Sequence, residues 1–299
     1  MRRLVAVDWG TTSLRGALLG ADGVVIEERA SARGLLSVPL DGFAAVLEDA
    51  FGDWLQPPGT LCLMSGMVGS RQGWLEAPYC PCPAGFSQLA GALAWVQPGR
   101  IAIVPGLSCS QDGIPDVMRG EEVQVFGALA LLAADSGTFV LPGTHSKWVR
   151  VADGRIEHFT TCMTGEFYAL LRQHSILARA MPPADGELDE AAFLRGAEHA
   201  RRTGNLLHAA FSARTLALFD QLPAAALPSY LSGIVIGEEL RAQLPALPST
   251  AVTLIGNDAL THRYALALQG LGISAHRIGA QATWRGLWAL AGLLEGKQA

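Results

Sequence analysis

The sequence predicts an α/β protein built from two related halves, each a mixed β-sheet with helices on its faces. Three observations carry this: a repeated phrase, the order of elements around it, and the chain length. Near the N-terminus the chain reads VDWGTTSLRGALLGADG, and 133 positions later, counted from Gly10 to Gly143, it reads LPGTHSKWVRVADGR. Each copy has an apolar run (Leu4 to Val7; Thr138 to Leu141), a Gly-Thr-x-Ser turn, a second apolar run and an Ala-Asp-Gly turn, the pattern of a β-hairpin. Asp22 lies 12 residues after Gly10 and Asp153 lies 10 after Gly143; because strand side chains alternate, the even difference keeps the same faces inward. A duplicated fold unit accounts for both copies, and chance recurrence of common turn residues is the alternative. A chain of 299 residues exceeds one ordinary core and suits two domains.

The elements follow in order. Strands are expected at Leu4 to Trp9, Leu14 to Leu19 and Val24 to Glu28, then a helix from Gly42 to Leu55 and strands at Leu61 to Ser65 and Ile101 to Val104. Three consecutive strands followed by helix-strand alternation describe a mixed sheet flanked by helices. From Asp116 to about Ala134, Val117, Val123, Phe126, Leu129 and Leu132 recur at helical spacing. The second hairpin and a third strand at Ile156 to Thr161 restart the β-β-β-α order. Helices are then expected at Glu166 to Leu177, Asp189 to Thr203, Leu206 to Leu222 and Leu227 to Leu244. A strand at Ala251 to Ile255 enters Gly256-Asn257-Asp258 and a helix to about Gly270, and a last helix spans Ala280 to Leu294. The segments PPADGELD and LPALPST read as turn-rich connectors. The domain border is expected near Asp112 to Asp116, giving an N-terminal domain over 1–113 and a C-terminal domain over 114–299.

Half of the residues are hydrophobic and 16% are charged, which fits a compact protein and excludes general disorder. No apolar run reaches the ~18 residues of a membrane span, and Asp8 interrupts the N-terminal run, so a cytoplasmic protein without membrane partners is expected. A net charge of −5 without a basic stripe argues against nucleic acid. The five cysteines lack paired C-x-x-C spacing, and Cys80-Pro-Cys82 reads as structural thiols rather than a metal site. Lysine occurs only at Lys147 and Lys297, so a lysine inside GTHSK departs from the chain's habit of using arginine.

A strand ending in Asp8 and turning through Gly10, Thr11, Thr12 and Ser13 offers backbone N–H groups and hydroxyls to an oxyanion, with a carboxylate that can hold a divalent cation through water. That chemistry is a phosphate and Mg2+ site, weighed against an ordinary hairpin turn. The counterpart, Gly143, Thr144, His145, Ser146 and Lys147, lacks the acid and suits phosphate alone; His145 is either a phosphate donor or a satisfied loop histidine. Neither G-x-x-x-x-G-K-[ST] nor G-x-G-x-x-G occurs, so phosphate binding by paired hairpins is the remaining route.

At this point the chain resembles the superfamily of sugar kinases, heat-shock ATPases and actin. Asp8 to Arg15 looks like its first phosphate motif, Val117 to Ala134 like a connecting helix, Leu141 to Lys147 like the second phosphate motif, Ile255 to Ala259 like the adenosine turn, and Ala280 to Leu294 like the last helix. MSGMVGSRQGWLEAPY, DVMRGEEVQVFGAL, LPGTHSKWV, MTGEFYALL, SGIVIGEEL and IGNDALTHRYALAL together narrow the resemblance to the 2-dehydro-3-deoxygalactonate kinase family. The resemblance implies two ribonuclease-H-like domains with a cleft between them, the actin-like ATPase architecture. It further implies ATP as donor with Mg2+, a sugar-acid acceptor bound by the N-terminal domain, nucleotide bound by the C-terminal one, and a last helix that can pack back toward the N-terminal domain. The activity implied is phosphorylation of 2-dehydro-3-deoxy-D-galactonate at its terminal hydroxyl.

The resemblance also implies roles. Arg15, Gly256 and Asn257 join the nucleotide and phosphate contacts. Asp116, at the expected start of the connecting helix, is the candidate base for the acceptor hydroxyl; it is equally a candidate helix N-cap, with Glu121 as another carboxylate. Arg71 is the candidate for the acceptor carboxylate, which a guanidinium can bind bidentately, walled by Ser65, Gly66, Met67 and Trp74, with Arg119 and Glu166 as further contacts. A kinase for another small sugar or amino sugar, and an actin-like ATP switch, remain as alternatives, and a homo-oligomer stays open.

Overall fold

The structure is a computed structural model that describes residues 3–247 and 251–296; Lys297 and residues 248–250 of the LPALPST connector lie outside the described residues. Two compact units emerge: one comprises Met1–Gly137, Val149–Thr160 and Ile278–Ala299, the other Thr138–Trp148 and Thr161–Arg277.

In the first unit the repeated phrase forms β1 (Leu4–Trp9) and β2 (Leu14–Leu19), antiparallel with Asp8 opposite Arg15 and Trp9 opposite Leu14. β3 (Val25–Ser31) is an exposed edge strand, and α1 (Phe43–Leu55) follows. β4 (Leu61–Ser65) pairs parallel to β1 with Ser65 beside Asp8, so the two residues leave the sheet together. Three short strands and a helix come next: β5 (Tyr79–Pro81), α2 (Phe86–Gly91), β6 (Ala94–Gln97) and β7 (Ile101–Ile103). The main sheet runs β3-β2-β1-β4-β7-β6. Its hidden face buries Val5, Val7, Trp9, Phe43, Phe51, Trp54 and Met64 in one apolar cluster.

The stretch expected to be helical from Asp116 is corrected here. Residues 114–118 form a strand, β9 (Ile114–Met118), hairpin-paired with β8 (Gly106–Gln111) through Asp112 and Gly113, both at positive φ. Helix α3 starts later, at Glu121, and ends at Leu132. Val117 therefore points from a strand and is exposed, and Asp116 is opposite Cys109 in the β8–β9 pair. β5, β8 and β9 make a separate three-stranded sheet that the apolar patterning does not announce. All five cysteines are free thiols. Burial pushes the Cys82 thiol up to about 12, which suits the structural role expected of it.

The second phrase forms β10 (Gly137–Leu141) and β11 (Ser146–Ala152), followed by β12 (Arg155–Cys162). After it come α4 (Thr164–His174), α5 (Glu190–Thr203), α6 (Leu206–Leu218), α7 (Leu227–Gln243), β13 (Ala251–Ile255), α8 (Asp258–Gln269), β14 (Ser274–Ile278) and α9 (Gln281–Gly296). The sheet order is β12-β11-β10-β13-β14, with β13 parallel to β10. Counted within each sheet, both begin third-second-first-fourth strand from the edge; the first then continues with its sixth and fifth strands and the second with its fifth. The repeated phrase is thus a repeated topology, as the duplication predicts. The fold is α/β, with mixed sheets flanked by helices.

α9 belongs to the first unit and crosses α3 at very short range. A Cβ on Gly127 would lie 1.8 Å from the Ala282 carbonyl oxygen, and one on Gly286 would lie 2.1 Å from that of Val123. Glycine on both helices is what permits the crossing. No helix of the described residues is long and apolar enough to cross a membrane.

Candidate functional site

In the first unit, the turn after β1 is pinned from behind. Gly10 N–H donates to the Ser13 carbonyl at 2.9 Å, while the Gly10 and Thr11 carbonyls accept from Leu35 N at 3.0 Å and Leu36 N at 3.1 Å. Thr11, Thr12 and Ser13 remain exposed while the backbone of the turn is fixed. Asp8 is half-buried and forms a short ion pair with Arg15 through Oδ2.

Beside it, the loop after β4 starts at Gly66, held at φ +95 where a Cβ would lie 2.8 Å from the Trp9 carbonyl oxygen. Gly120, at φ +109, packs on Gly66, since its Cβ would stand 3.2 Å from the Gly66 Cα. The start of α3 is thereby brought against Gly66, the residue that follows Ser65. Ser65 is fully buried, and its hydroxyl has no hydrogen-bond partner among the described residues. Met67 and Trp74 pack on the apolar core, and Trp74 stacks at 6.5 Å on Phe43.

The two arginines proposed for the acceptor differ. The Arg71 side chain is 88% exposed and pairs with Glu76 at 3.1 Å, so it is open to a ligand but held only by a surface contact. Arg119 is buried over the Tyr79 ring, 4.2 Å from its centroid, and Nη2 donates to the Ala77 carbonyl at 2.8 Å. Its Nε and Nη1 have no hydrogen-bond partner among the described residues.

Next to Arg119 lies a carboxyl that the motif reading missed. Glu122 is completely buried, accepts the Gly120 N–H at 2.9 and 2.8 Å, and is pushed up to about 8 by burial and by the neighbouring Glu121. At neutral pH it is therefore mostly uncharged. The signal was present in MRGEE, where one of two adjacent acids must turn inward on a helix whose next residues are apolar.

Asp116 is half-buried in β9, and its Oδ1 accepts the Val117 N–H at 2.7 Å. Gly120 occupies the N-cap position of α3. The structure thus removes the helix-cap explanation for Asp116. Glu121 accepts the Arg119 N–H at 3.0 Å.

In the second unit, α4 closes on the turn Gly143 to His145. Glu166 N–H donates to the Thr144 carbonyl at 3.0 Å, and the Glu166 carboxylate meets His145 Nε2 at 2.5 Å. Glu166 and His145, assigned separately in the sequence to the sugar acid and to phosphate, are thus direct partners. Lys147 is 4% exposed and donates to the His145 carbonyl at 3.3 Å, folding its charge back under the turn. Ser146 is buried, its Oγ 3.0 Å from the Tyr264 hydroxyl.

Gly256 and Asn257 follow β13. Gly256 sits at φ +151, and the Asn257 Oδ1 caps α8 by accepting the Leu260 N–H at 2.9 Å. Asn257 thus has a structural duty in addition to any contact with nucleotide. Among the described residues no cluster of three or more His, Cys, Asp or Glu side chains forms a metal cage.

Comparison with known proteins fits these turns. The family profile of 2-keto-3-deoxy-galactonokinase matches residues 8–290, which begin at Asp8 itself. A Rhizobium meliloti (strain 1021) relative, named for 2-dehydro-3-deoxygalactonokinase, is 40% identical over 95% of this chain and 97% of its own. The 2-dehydro-3-deoxygalactonokinase of Escherichia coli (strain K12) is 39% identical over 90% of each chain. A crystal structure from Sinorhizobium meliloti, also named for that kinase, superposes with a TM-score of 0.89 at 37% identity, covering 98% of this chain and 99% of that one. At the level of fold alone, the activator of 2-hydroxyisocaproyl-CoA dehydratase from Clostridium difficile, solved with ADPNP, superposes with a TM-score of 0.52 at 13% identity over 99% and 97% of the two chains. With the match running through the first turn, the start of α3, the second turn and most of α9, the chain belongs to the 2-keto-3-deoxy-galactonokinase family of sugar-acid kinases.

Proposed function

We propose that this chain transfers the γ-phosphoryl group of ATP to the terminal 6-hydroxyl of 2-dehydro-3-deoxy-D-galactonate, a step of galactonate catabolism. The observation that carries the reading is identity of 40% and 39% over nearly the whole chain to two proteins named for that kinase. The acceptor hydroxyl oxygen forms the new P–O bond, the bond from the γ-phosphorus to the β–γ bridging oxygen breaks, and ADP leaves with the electron pair. The hydroxyl proton passes to a carboxylate, which we assign to Asp116.

In such a transfer the protein acts by positioning and by neutralising charge on the phosphoryl oxygens. Gly10 to Ser13, with Arg15, would hold phosphate oxygens in the first unit. Gly143 to Lys147 would hold them in the second, where Gly256 and Asn257 are assigned to the nucleotide. Ser65, Gly66, Met67, Arg71 and Trp74, with Arg119 and Glu166, are assigned to the sugar acid. An exposed Arg71 can take the carboxylate bidentately; the buried Arg119 supports the same loop from below.

Mg2+ suits Asp8. One carboxylate completed by phosphate oxygens and water is a usual magnesium donor set. Asp8 Oδ1 lies 3.4 Å from the point a Cβ on Gly66 would occupy, space that glycine leaves open. When bound, the ion supplies charge neutralisation on the transferring phosphate. The proposed function is tested by coupled ADP release against a panel of 2-oxo-3-deoxy sugar acids, neutral sugars and amino sugars. Turnover that depends on the galactonate-derived acid supports it; turnover equal with every acceptor or with none sinks it.

A further inference from the structure

Helix α7 carries SGIVIGEEL and is buried on nearly every side, yet it includes a carboxylate, Glu239, that is only 5% exposed. One oxygen accepts Trp148 Nε1–H at 2.6 Å; the other accepts the Tyr264 hydroxyl at 2.7 Å and, in a shorter contact, the Thr164 hydroxyl. Tyr264 OH in turn meets Ser146 Oγ at 3.0 Å. These partners are not scattered. Ser146 and Trp148 open β11 immediately after the second turn, and Thr164 opens α4, the helix that packs on that turn. A Cβ on Gly165, the next residue, would stand 2.4 Å from the Gly143 carbonyl oxygen, so the two segments are in backbone contact.

One carboxylate thus ties together the strand that leaves the turn and the helix that covers it. Burial pushes the Glu239 carboxyl up from its ordinary range, opposed by its hydrogen bonds. An apolar residue of similar size would avoid that desolvation, so packing alone does not explain an acid here.

We infer that Glu239 is a positioning residue for phosphoryl transfer: through Ser146, Trp148, Thr164 and Tyr264 it fixes the Gly143–Lys147 turn in the shape that receives nucleotide phosphate. The inference rests on the phosphate-binding reading of that turn. It distinguishes Glu239 from the other acid on the helix, the half-buried Glu238 that pairs with Arg241, because every group Glu239 holds lies within two residues of the turn or on an element packed against it.

The test uses four variants of the full chain: Glu239→Gln, Glu239→Leu, Tyr264→Phe and Gly143→Ala. Nucleotide Kd is read by calorimetry with ADP, alongside KM for ATP, KM for the sugar acid, and Tm. Gln can keep one accepted bond from Trp148 and donate its amide to the hydroxyls of Tyr264 and Thr164, which can turn to accept. Glu239→Gln should therefore lose the least, Tyr264→Phe, which removes the hydroxyl linking Glu239 to Ser146, should weaken ADP and raise KM for ATP by roughly tenfold while leaving KM for the acid within about twofold, and Glu239→Leu should do worse.

Gly143→Ala separates the two levels of the argument. An added Cβ there meets nothing within 4 Å, so it should leave Tm unchanged and obstruct only phosphate. If it leaves ADP affinity intact, the phosphate reading of the turn fails and the inference falls with it. If it weakens ADP while the Glu239 and Tyr264 variants lower Tm only, with nucleotide constants within about twofold of wild type, the turn stands and the positioning role is overturned.

Discussion

Glu122→Gln should stabilise the protein at alkaline pH and slightly destabilise it in acid. Glu122 is fully buried and titrates near 8, against 4.5 for an ordinary glutamate. Below about pH 4.5 the carboxyl is protonated in both the folded and unfolded chain and contributes no pH dependence. Between about 4.5 and 8 the folded protein keeps the proton that the unfolded chain releases, so stability falls as pH rises. Above about 8 both forms are ionised and the burial cost is present in full. At about 1.4 kcal/mol per pKa unit, the rise sets an upper bound of about 5 kcal/mol on that cost.

Glutamine cannot ionise, so it removes the slope. It keeps one acceptor for the Gly120 N–H where the carboxylate offers two oxygens, a loss on the order of 1 kcal/mol. The variant should thus be about 1 kcal/mol less stable than wild type at pH 4.5 and about 2 to 4 kcal/mol more stable at pH 9. Urea midpoints and melting temperatures of both proteins, measured from pH 4.5 to 9.5, report the difference. Parallel curves for variant and wild type over the whole range would refute the assignment of a neutral buried carboxyl beside Arg119.

Asp8→Asn should lower kcat by on the order of 10³ or more with Tm nearly unchanged, because it removes charge from the phosphoryl-transfer site; activity within about tenfold of wild type and unaltered magnesium dependence would withdraw its role. Asp116→Asn should cut kcat while leaving ADP affinity intact, since a base acts on the acceptor's proton, whereas a matching loss of ADP binding would mark damage to β8 and β9. Lys147→Arg keeps the charge but places a broader group at a site only 4% exposed, so KM for ATP should rise and Tm should fall; a variant as active as wild type would remove the argument for a compact ammonium there. Gly127→Ala puts a Cβ 1.8 Å from the Ala282 carbonyl, and overpacking of about 3 kcal/mol should appear as a lowered thermal midpoint; an unchanged midpoint would mean that α3 and α9 separate without cost.

Much of this was legible in the chain itself. The repeat announced both hairpins and, through β-β-β-α order, two sheets whose first four strands share one order, because apolar runs broken by Gly-Thr-x-Ser leave few other readings. The misreading at Asp116 has a physical cause. β9 contains Pro115 and lies at the edge of its three-stranded sheet, where proline is tolerated and alternation is weak, while Val117 happens to continue the spacing of α3. β5 and β14 are short and carry no apolar run, so hydrophobic pattern could not show them.

Among the candidate site residues, those in or beside the two turns, Asp8, Thr11 and Lys147, could be proposed from their residue types alone. Glu122 and Glu239 could not, since a buried acid is identified by the donors around it, and those come from Gly120 in one case and from Trp148, Thr164 and Tyr264 in the other. The clue left in the sequence was an acid in MRGEE and SGIVIGEEL, embedded where its neighbours are apolar or small.

The central claim is phosphoryl transfer to one hydroxyl of one sugar acid. Product formed from 2-dehydro-3-deoxy-D-galactonate, ATP and magnesium should be examined by phosphorus NMR with proton coupling. The account predicts one new phosphate ester whose phosphorus couples to the two protons of the terminal CH2 group, formed in equal amount with ADP. Inorganic phosphate as the sole new phosphorus species, or an ester on any other carbon, would contradict it.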